Sequence, residues 1–106
     1  MDDQEFQTRA AEALEDLYKR LGRAAEEHDF EADFNAGALA IEFEDPPAKF
    51  VVSPNSPVKQ IWVSAHMKSS KLDWDQARAA FVANGQTLAE LIAEAVGKQL
   101  GSPISL

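Results

Sequence analysis

The apolar residues of this chain repeat first with the period of a helix, then with that of a strand, then with that of a helix again, and few folds accept that order. Phe6, Ala10, Ala13, Leu14, Leu17, Leu21 and Ala24 recur at steps of three and four, which predicts one amphipathic helix from about residue 3 to 26. Glu12, Glu15, Asp16, Lys19 and Arg23 lie off that stripe and face water. Glu15 with Lys19, and Asp16 with Arg20, stand four apart, a spacing that adds a few tenths of a kcal/mol to a helix.

From Phe30 the period becomes two. Phe34, then Leu39, Ile41 and Phe43, then Phe50 and Val52, mark successive strands, with Asp33, Asn35, Glu42, Glu44, Lys49 and Ser53 on their other faces. Ala36-Gly37 and Asp45-Pro46-Pro47-Ala48 supply turns, so the strands form an antiparallel meander. A further strand follows Pro57, Met67 to Lys71 reads as a polar loop, and Trp74 and Phe81 mark short later strands. Thr87-Leu88-Ala89-Glu90 has the spacing of a capping box. Leu88, Leu91, Ile92, Ala95, Val96 and Leu100 form the second helical stripe, which Gly101 and Pro103 end. The expected architecture is α+β: an antiparallel sheet with the N- and C-terminal helices packed on one face. At 106 residues, 45% of them hydrophobic, the chain suffices for a single domain spanning 1–106. A domain of this size buries roughly 65% of the extended chain's surface.

If both helices cover one face, the other stays open, and that makes Trp62 informative. In Lys59-Gln60-Ile61-Trp62-Val63-Ser64 the alternation places Ile61 and Val63 inward, with Gln60, Trp62 and Ser64 outward. The largest apolar side chain thus lies on the polar face. An outward tryptophan among amide and hydroxyl neighbours suits a partner-docking surface; the bland alternative is that a loop or helix covers it.

Charge is uneven along the chain. Residues 1 to 45 carry 14 acidic and 4 basic side chains, net −10, and residues 46 to 106 carry 4 and 6, net +2, which together give the overall −8. The acidic half repels nucleic acid and attracts cations or basic proteins, unless it is simply a solvated face. With no cysteine, disulfides, a thiol nucleophile, Cys-ligated zinc and iron-sulfur ligation are all excluded, so metal chemistry must use oxygen, with His28 or His66 as possible imidazoles. Glu27, His28, Asp29, Glu31 and Asp33 place four carboxylates and an imidazole within seven residues. That set suits a wet, weak and promiscuous hold on a borderline ion such as ferrous iron. His28 reads first as a surface histidine and second as a ligand. No phosphate loop, nucleophile elbow or zinc motif is present, and paired carboxylates are too common here to mean acid-base catalysis. The acidic start, Met1-Asp2-Asp3-Gln4-Glu5, lacks the basic and apolar segments of a secretory signal, and no run is long enough to span a bilayer. The expectation is a cytoplasmic protein.

Several stretches together resemble the frataxin family in its short bacterial form. They are Asp29 to Leu39 with Ile41-Glu42-Phe43, Phe50-Val51-Val52, Pro57 with Lys59-Gln60-Ile61-Trp62-Val63-Ser64, and Asp73-Trp74. The similarity covers nearly the whole chain. It implies a helix-sheet-helix fold and a non-enzymatic role in iron-sulfur cluster assembly, with ferroxidase activity the only one to test. It further implies weak binding of ferrous or ferric iron through an acidic ridge, no tightly held cofactor, and docking through the sheet on a cysteine desulfurase and its scaffold complex. Carried onto this sequence, the partner-facing residues are Ser53, Asn55, Gln60, Trp62 and Lys71. The ridge residues are Glu27, Asp29, Glu31 and Asp33, with Glu26, His28, Glu12 and Asp16 nearby. Net charge −8 argues against nucleic acid, no membrane partner is expected, and the expectation is a monomer that metal could assemble. Where relatives continue the ridge with acids, this chain has Tyr18, Lys19, Gly22 and Arg23, which lowers the expected iron affinity. Ser53 replaces the family's asparagine, and Phe81 the usual tryptophan. The alternative is a generic α+β binding module that stacks a ligand or base on Trp62, with Lys49, Lys59, Lys68 and Lys71 as a basic patch.

Overall fold

A computed structural model describes residues 1–106. The chain enters helix α1, Asp3–Ala25, where the side chain of Asp2 accepts a hydrogen bond from the backbone N–H of Glu5 at 2.7 Å and so satisfies one of the otherwise free first-turn amides. Phe6, Ala10, Leu14, Leu17 and Leu21 are buried along it, with Ala13 and Ala24 packed at the margin, as the stripe requires.

Seven strands follow in simple order: β1 (Glu31–Asn35), β2 (Ala38–Glu44), β3 (Pro47–Asn55), β4 (Gln60–Ala65), β5 (Lys68–Asp75), β6 (Ala80–Ala83) and β7 (Gln86–Thr87). Each pairs antiparallel with the next, so the sheet is one continuous meander. Ala36 and Gly37 close the first hairpin with both φ angles positive, the turn whose twist matches paired strands. Helix α2, Leu88–Leu100, returns over the far end of the sheet. Its capping box forms as the spacing predicts: the Glu90 N–H donates to Thr87 Oγ1 at 3.3 Å, and the Thr87 N–H donates to Glu90 Oε1 at 2.9 Å. That backbone donor, then the Thr87 hydroxyl, then the nearby Arg78 hold the Glu90 carboxyl below its ordinary 4.5. Gly101, at φ +79, ends the helix.

Helix α1 lies over β1, β2 and β3, and α2 over β6 and β7, on the same face. Leu39, Ile41, Phe43, Phe50, Val52, Ile61, Val63, Leu72 and Phe81 meet them from the sheet and are buried. Phe6 and Phe81 make an edge-to-face pair at 5.8 Å between the first helix and β6. The expected α+β sandwich is what the chain forms.

Three expectations need correction. Met67 to Lys71 is no loop: only His66 and Met67, at φ 51° and 62°, make the turn, and Lys68–Asp75 is a full strand. Its helix-facing row is Lys68, Ser70, Leu72 and Trp74, so half of it is polar and no apolar alternation announces it. Trp74 therefore lies within β5, next to its last residue, and founds no strand of its own, and the two-residue β7 was not anticipated. Phe34, on the helix-facing row of an edge strand, is only half covered: it stays 39% exposed, with Tyr18 tilted against it at 6.0 Å.

Candidate functional site

The face turned away from the helices carries the site. Strand pairing puts Ser53 opposite Trp62 and Trp62 opposite Lys71 in one row, and Asn55 opposite Gln60 and Gln60 opposite Asp73 in the next. The five residues expected to face a partner, scattered from 53 to 71, thus form one compact patch across β3, β4 and β5. Adjacent cross-strand side chains on one face lie about 5 Å apart at Cβ, so each touches the next.

Trp62 projects from this patch, on the face opposite both helices, and is 37% exposed. Around it the face is built of small side chains, Ser53, Val51, Ser64, Ser69 and Ala40, so the indole is a knob on a shallow surface. Its Nε1–H donates to Gln60 Oε1 at 3.0 Å, and Gln60 Nε2 donates to Asp73 Oδ1 at 3.0 Å. Lys71 Nζ stands 4.9 Å from the ring centroid, in cation-π contact. Asp73 escaped sequence reasoning because the register that places it opposite Gln60 depends on β5, and β5 was read as a loop over its first half.

The acidic residues divide into two groups. Glu26 and Glu27 follow α1, His28 and Asp29 form the turn into the sheet, Phe30 plugs the core, and Glu31 and Asp33 stand on the open face of β1. His28, Asp29 and Glu31 rim an indentation of about 330 Å³ whose other acids, Glu42 and Glu44, come from β2. Those two were missed. The signal for them is the Glu31–Glu42 pairing, which sets two carboxylates directly across from one another, with Lys49 Nζ 3.8 Å from Glu42. No three His, Asp or Glu side chains converge closely enough to enclose a metal ion.

Glu12 and Asp16 do not join this rim. They lie mid-helix on the flank toward Trp74, lining a cleft of about 290 Å³ with Arg9, Leu17, Phe81 and Leu88. Asp16 accepts from Arg20 Nε at 2.8 Å. Of the residues that stand where more acids were expected, Lys19 pairs with Glu15 at 3.5 Å, Tyr18 packs on Phe34, and Gly22 has open space around it.

Residues 1–102 match the family model described as a frataxin-like domain. The chain belongs to the frataxin-like family. It is 34% identical over 109 residues to the "Iron-sulfur cluster assembly protein CyaY" of Dechloromonas aromatica, covering all of this chain and 99% of that one. It is 28% identical over 102 residues to the protein of the same name from Azotobacter vinelandii, covering 92% of each. The solved structure of frataxin from Psychromonas ingrahamii superposes with a TM-score of 0.76 over 99% of this chain and 97% of that one; at 23% identity this likeness shows the shared fold. No helix of the chain is long and apolar enough to cross a membrane.

Proposed function

We propose that this protein is a non-enzymatic accessory protein of iron-sulfur cluster assembly in the bacterial cytoplasm. It docks as a single domain and a monomer on a cysteine desulfurase and its scaffold complex, using the open face of the sheet. The observation that carries this reading is Trp62, held outward at the centre of a patch made by Ser53, Asn55, Gln60 and Lys71 while both helices occupy the opposite face. An aromatic knob with a polar surround is the composition of an interface centre. The names of the curated relatives supply the pathway.

Iron enters this reading as cargo. The carboxylates of Glu26, Glu27, Asp29, Glu31 and Asp33, joined by Glu42 and Glu44 across the strand pair, present hard oxygen donors at one edge of the sheet, with the His28 imidazole beside them. Because these donors form an open rim, a bound ferrous ion keeps most of its water and exchanges readily. Glu12 and Asp16, engaged with their own helix and cleft, are left out of the rim.

The deciding experiment is a pull-down from bacterial lysate with tagged wild type and Trp62→Ala, each with and without ferrous iron under anaerobic conditions. The reading expects the desulfurase to be captured by wild type and lost with the variant. Equal capture by both would move the docking surface elsewhere on the molecule.

A further inference from the structure

On the reading that the open face docks, we propose that Asp73 is a positioning residue for Trp62, setting the orientation of the Gln60 amide that in turn fixes the indole in its outward pose. Hydrogen-bond polarity orders the three side chains. An indole Nε1–H can only donate, and an ionised carboxylate can only accept. Gln60 stands between them, receiving the indole proton on Oε1 at 3.0 Å and donating from Nε2 to Asp73 Oδ1 at 3.0 Å. Turning the amide over would set Nε2 against the indole donor and Oε1 against the carboxylate, losing both bonds at once. The donor-only indole and the acceptor-only carboxylate thus demand the same amide orientation, and Asp73 anchors the Gln60 end of the chain from β5.

Register makes the tether short. Asp73 lies directly opposite Gln60, and Trp62 is the next outward residue along β4, where it lies opposite Lys71. Lys71 Nζ, 4.9 Å from the ring centroid, adds a second restraint on the indole. An anchor ordered before contact avoids losing its rotamer freedom at the moment of binding, which is how preorganisation raises affinity. Without Asp73, the Gln60 side chain is free to rotate and the indole loses its fixed partner.

The test uses the full chain, uniformly ¹⁵N-labelled. Its two tryptophans give two indole N–H resonances, and Trp74, whose Nε1–H donates to Gln76 Oε1 at 2.9 Å, serves as the internal control. Asp73→Ala is expected to move the Trp62 resonance and lower its heteronuclear NOE, leaving that of Trp74 in place. Asp73→Asn, whose Oδ1 still accepts, is expected to restore most of the wild-type position. Against a purified desulfurase-scaffold complex, Asp73→Ala should raise Kd roughly two- to tenfold, the effect of having to order one rotamer-rich side chain on binding. A Trp62 resonance that stays put in Asp73→Ala overturns the proposal. Trp62→Ala separates the remaining failures. If it leaves Kd unchanged, the docking reading is wrong and the positioning role falls with it; if it weakens binding while Asp73→Ala does not, the positioning role alone falls.

Discussion

Trp62→Ala is the substitution whose consequence the structure determines most closely. The residue is 37% exposed in the free protein. A tryptophan has roughly 250 Å² to bury, so about 90 Å² of it remains for a partner to cover. At ~25 cal/mol per Å² that area is worth about 2 kcal/mol, and this corresponds to roughly a 30-fold rise in Kd for the desulfurase complex. The cost to folding should be smaller, because the vacated volume opens to water on the uncovered face and traps no cavity; about 1 kcal/mol is the ordinary range for such a change. The two effects are measured separately, affinity by titration calorimetry and stability by urea denaturation. Trp62→Phe supplies the graded case: it keeps most of the apolar body but loses the donor to Gln60, so it should fall between wild type and alanine. A Kd for Trp62→Ala within twofold of wild type refutes the reasoning, since about 90 Å² of apolar surface cannot be buried at an interface centre for no return.

The acidic rim predicts a thermal response to metal. At a tenfold excess of free ferrous iron over its Kd, binding to the folded form alone adds about 1.4 kcal/mol, which raises Tm by roughly 6 to 11 °C for a domain near this size; a flat anaerobic melting curve across millimolar iron removes the rim from the account. Glu31→Gln relieves the like-charge pairing with Glu42, so the metal-free variant should gain a few tenths of a kcal/mol while losing part of the iron-induced rise, and a loss of stability without metal would contradict this. Thr87→Ala removes the hydroxyl half of the capping box and should cost about 1 kcal/mol, seen as a Tm lower by roughly 4 to 8 °C. Glu90 adds a signature in pH. Its folded pKa lies below the ordinary 4.5, so the stability it contributes is complete above 4.5 and disappears as pH falls through the lower folded value. Wild type should therefore exceed Glu90→Gln in urea denaturation at neutral pH, with the gap closing only in acid; a gap that persists unchanged to pH 3 would discredit the capping role of the charge.

Both helices and strands β2, β3 and β4 were legible because each buries a continuous apolar row, and burial is what writes a period into sequence. Leu14, Leu17 and Leu21 sit fully inside on α1, and Ile61 and Val63 on β4, where the steps of three, four and two place them. Strand β5 is held differently. Its inward row begins with Lys68 and Ser70, and what makes it a strand is the backbone ladder it shares with β4, closed by a His66-Met67 turn that lacks the usual Asn or Gly at its positive φ angles. Edge strand β1 shows the same limit from the other side: Phe34 has the alternation of a core residue, but beyond the last strand there is no neighbour to finish covering it.

The site followed the same division. That Trp62 lies on the outer row follows from alternation within one strand and from the face the helices take, whereas the pose of its ring is held by Gln60 and Asp73. Which residues surround it depends on register, a relation between strands. That is why Ser53, Asn55 and Lys71 came from likeness to a family, with Gln60 outward by alternation as well, while Asp73, Glu42 and Glu44 entered the site from neither source. A one-residue slip between β4 and β5 would set Asp73 on the wrong row and break the Gln60 tether, yet it would leave the composition and period of β5 almost unchanged. The register is fixed instead by Leu72, the single fully buried residue of β5, which pairs with Ile61 and leaves its two flanking neighbours, Lys71 and Asp73, on the open face beside Trp62 and Gln60. Leu72 is thus the position where core packing and surface recognition meet. Leu72→Ser should loosen the β4-β5 register, costing several kcal/mol for burial of an unpaired hydroxyl in a cavity, and should broaden the Trp62 indole resonance well before the chain unfolds in urea. If that resonance instead persists sharp up to the global transition, the register is held elsewhere, in the turn or the backbone ladder.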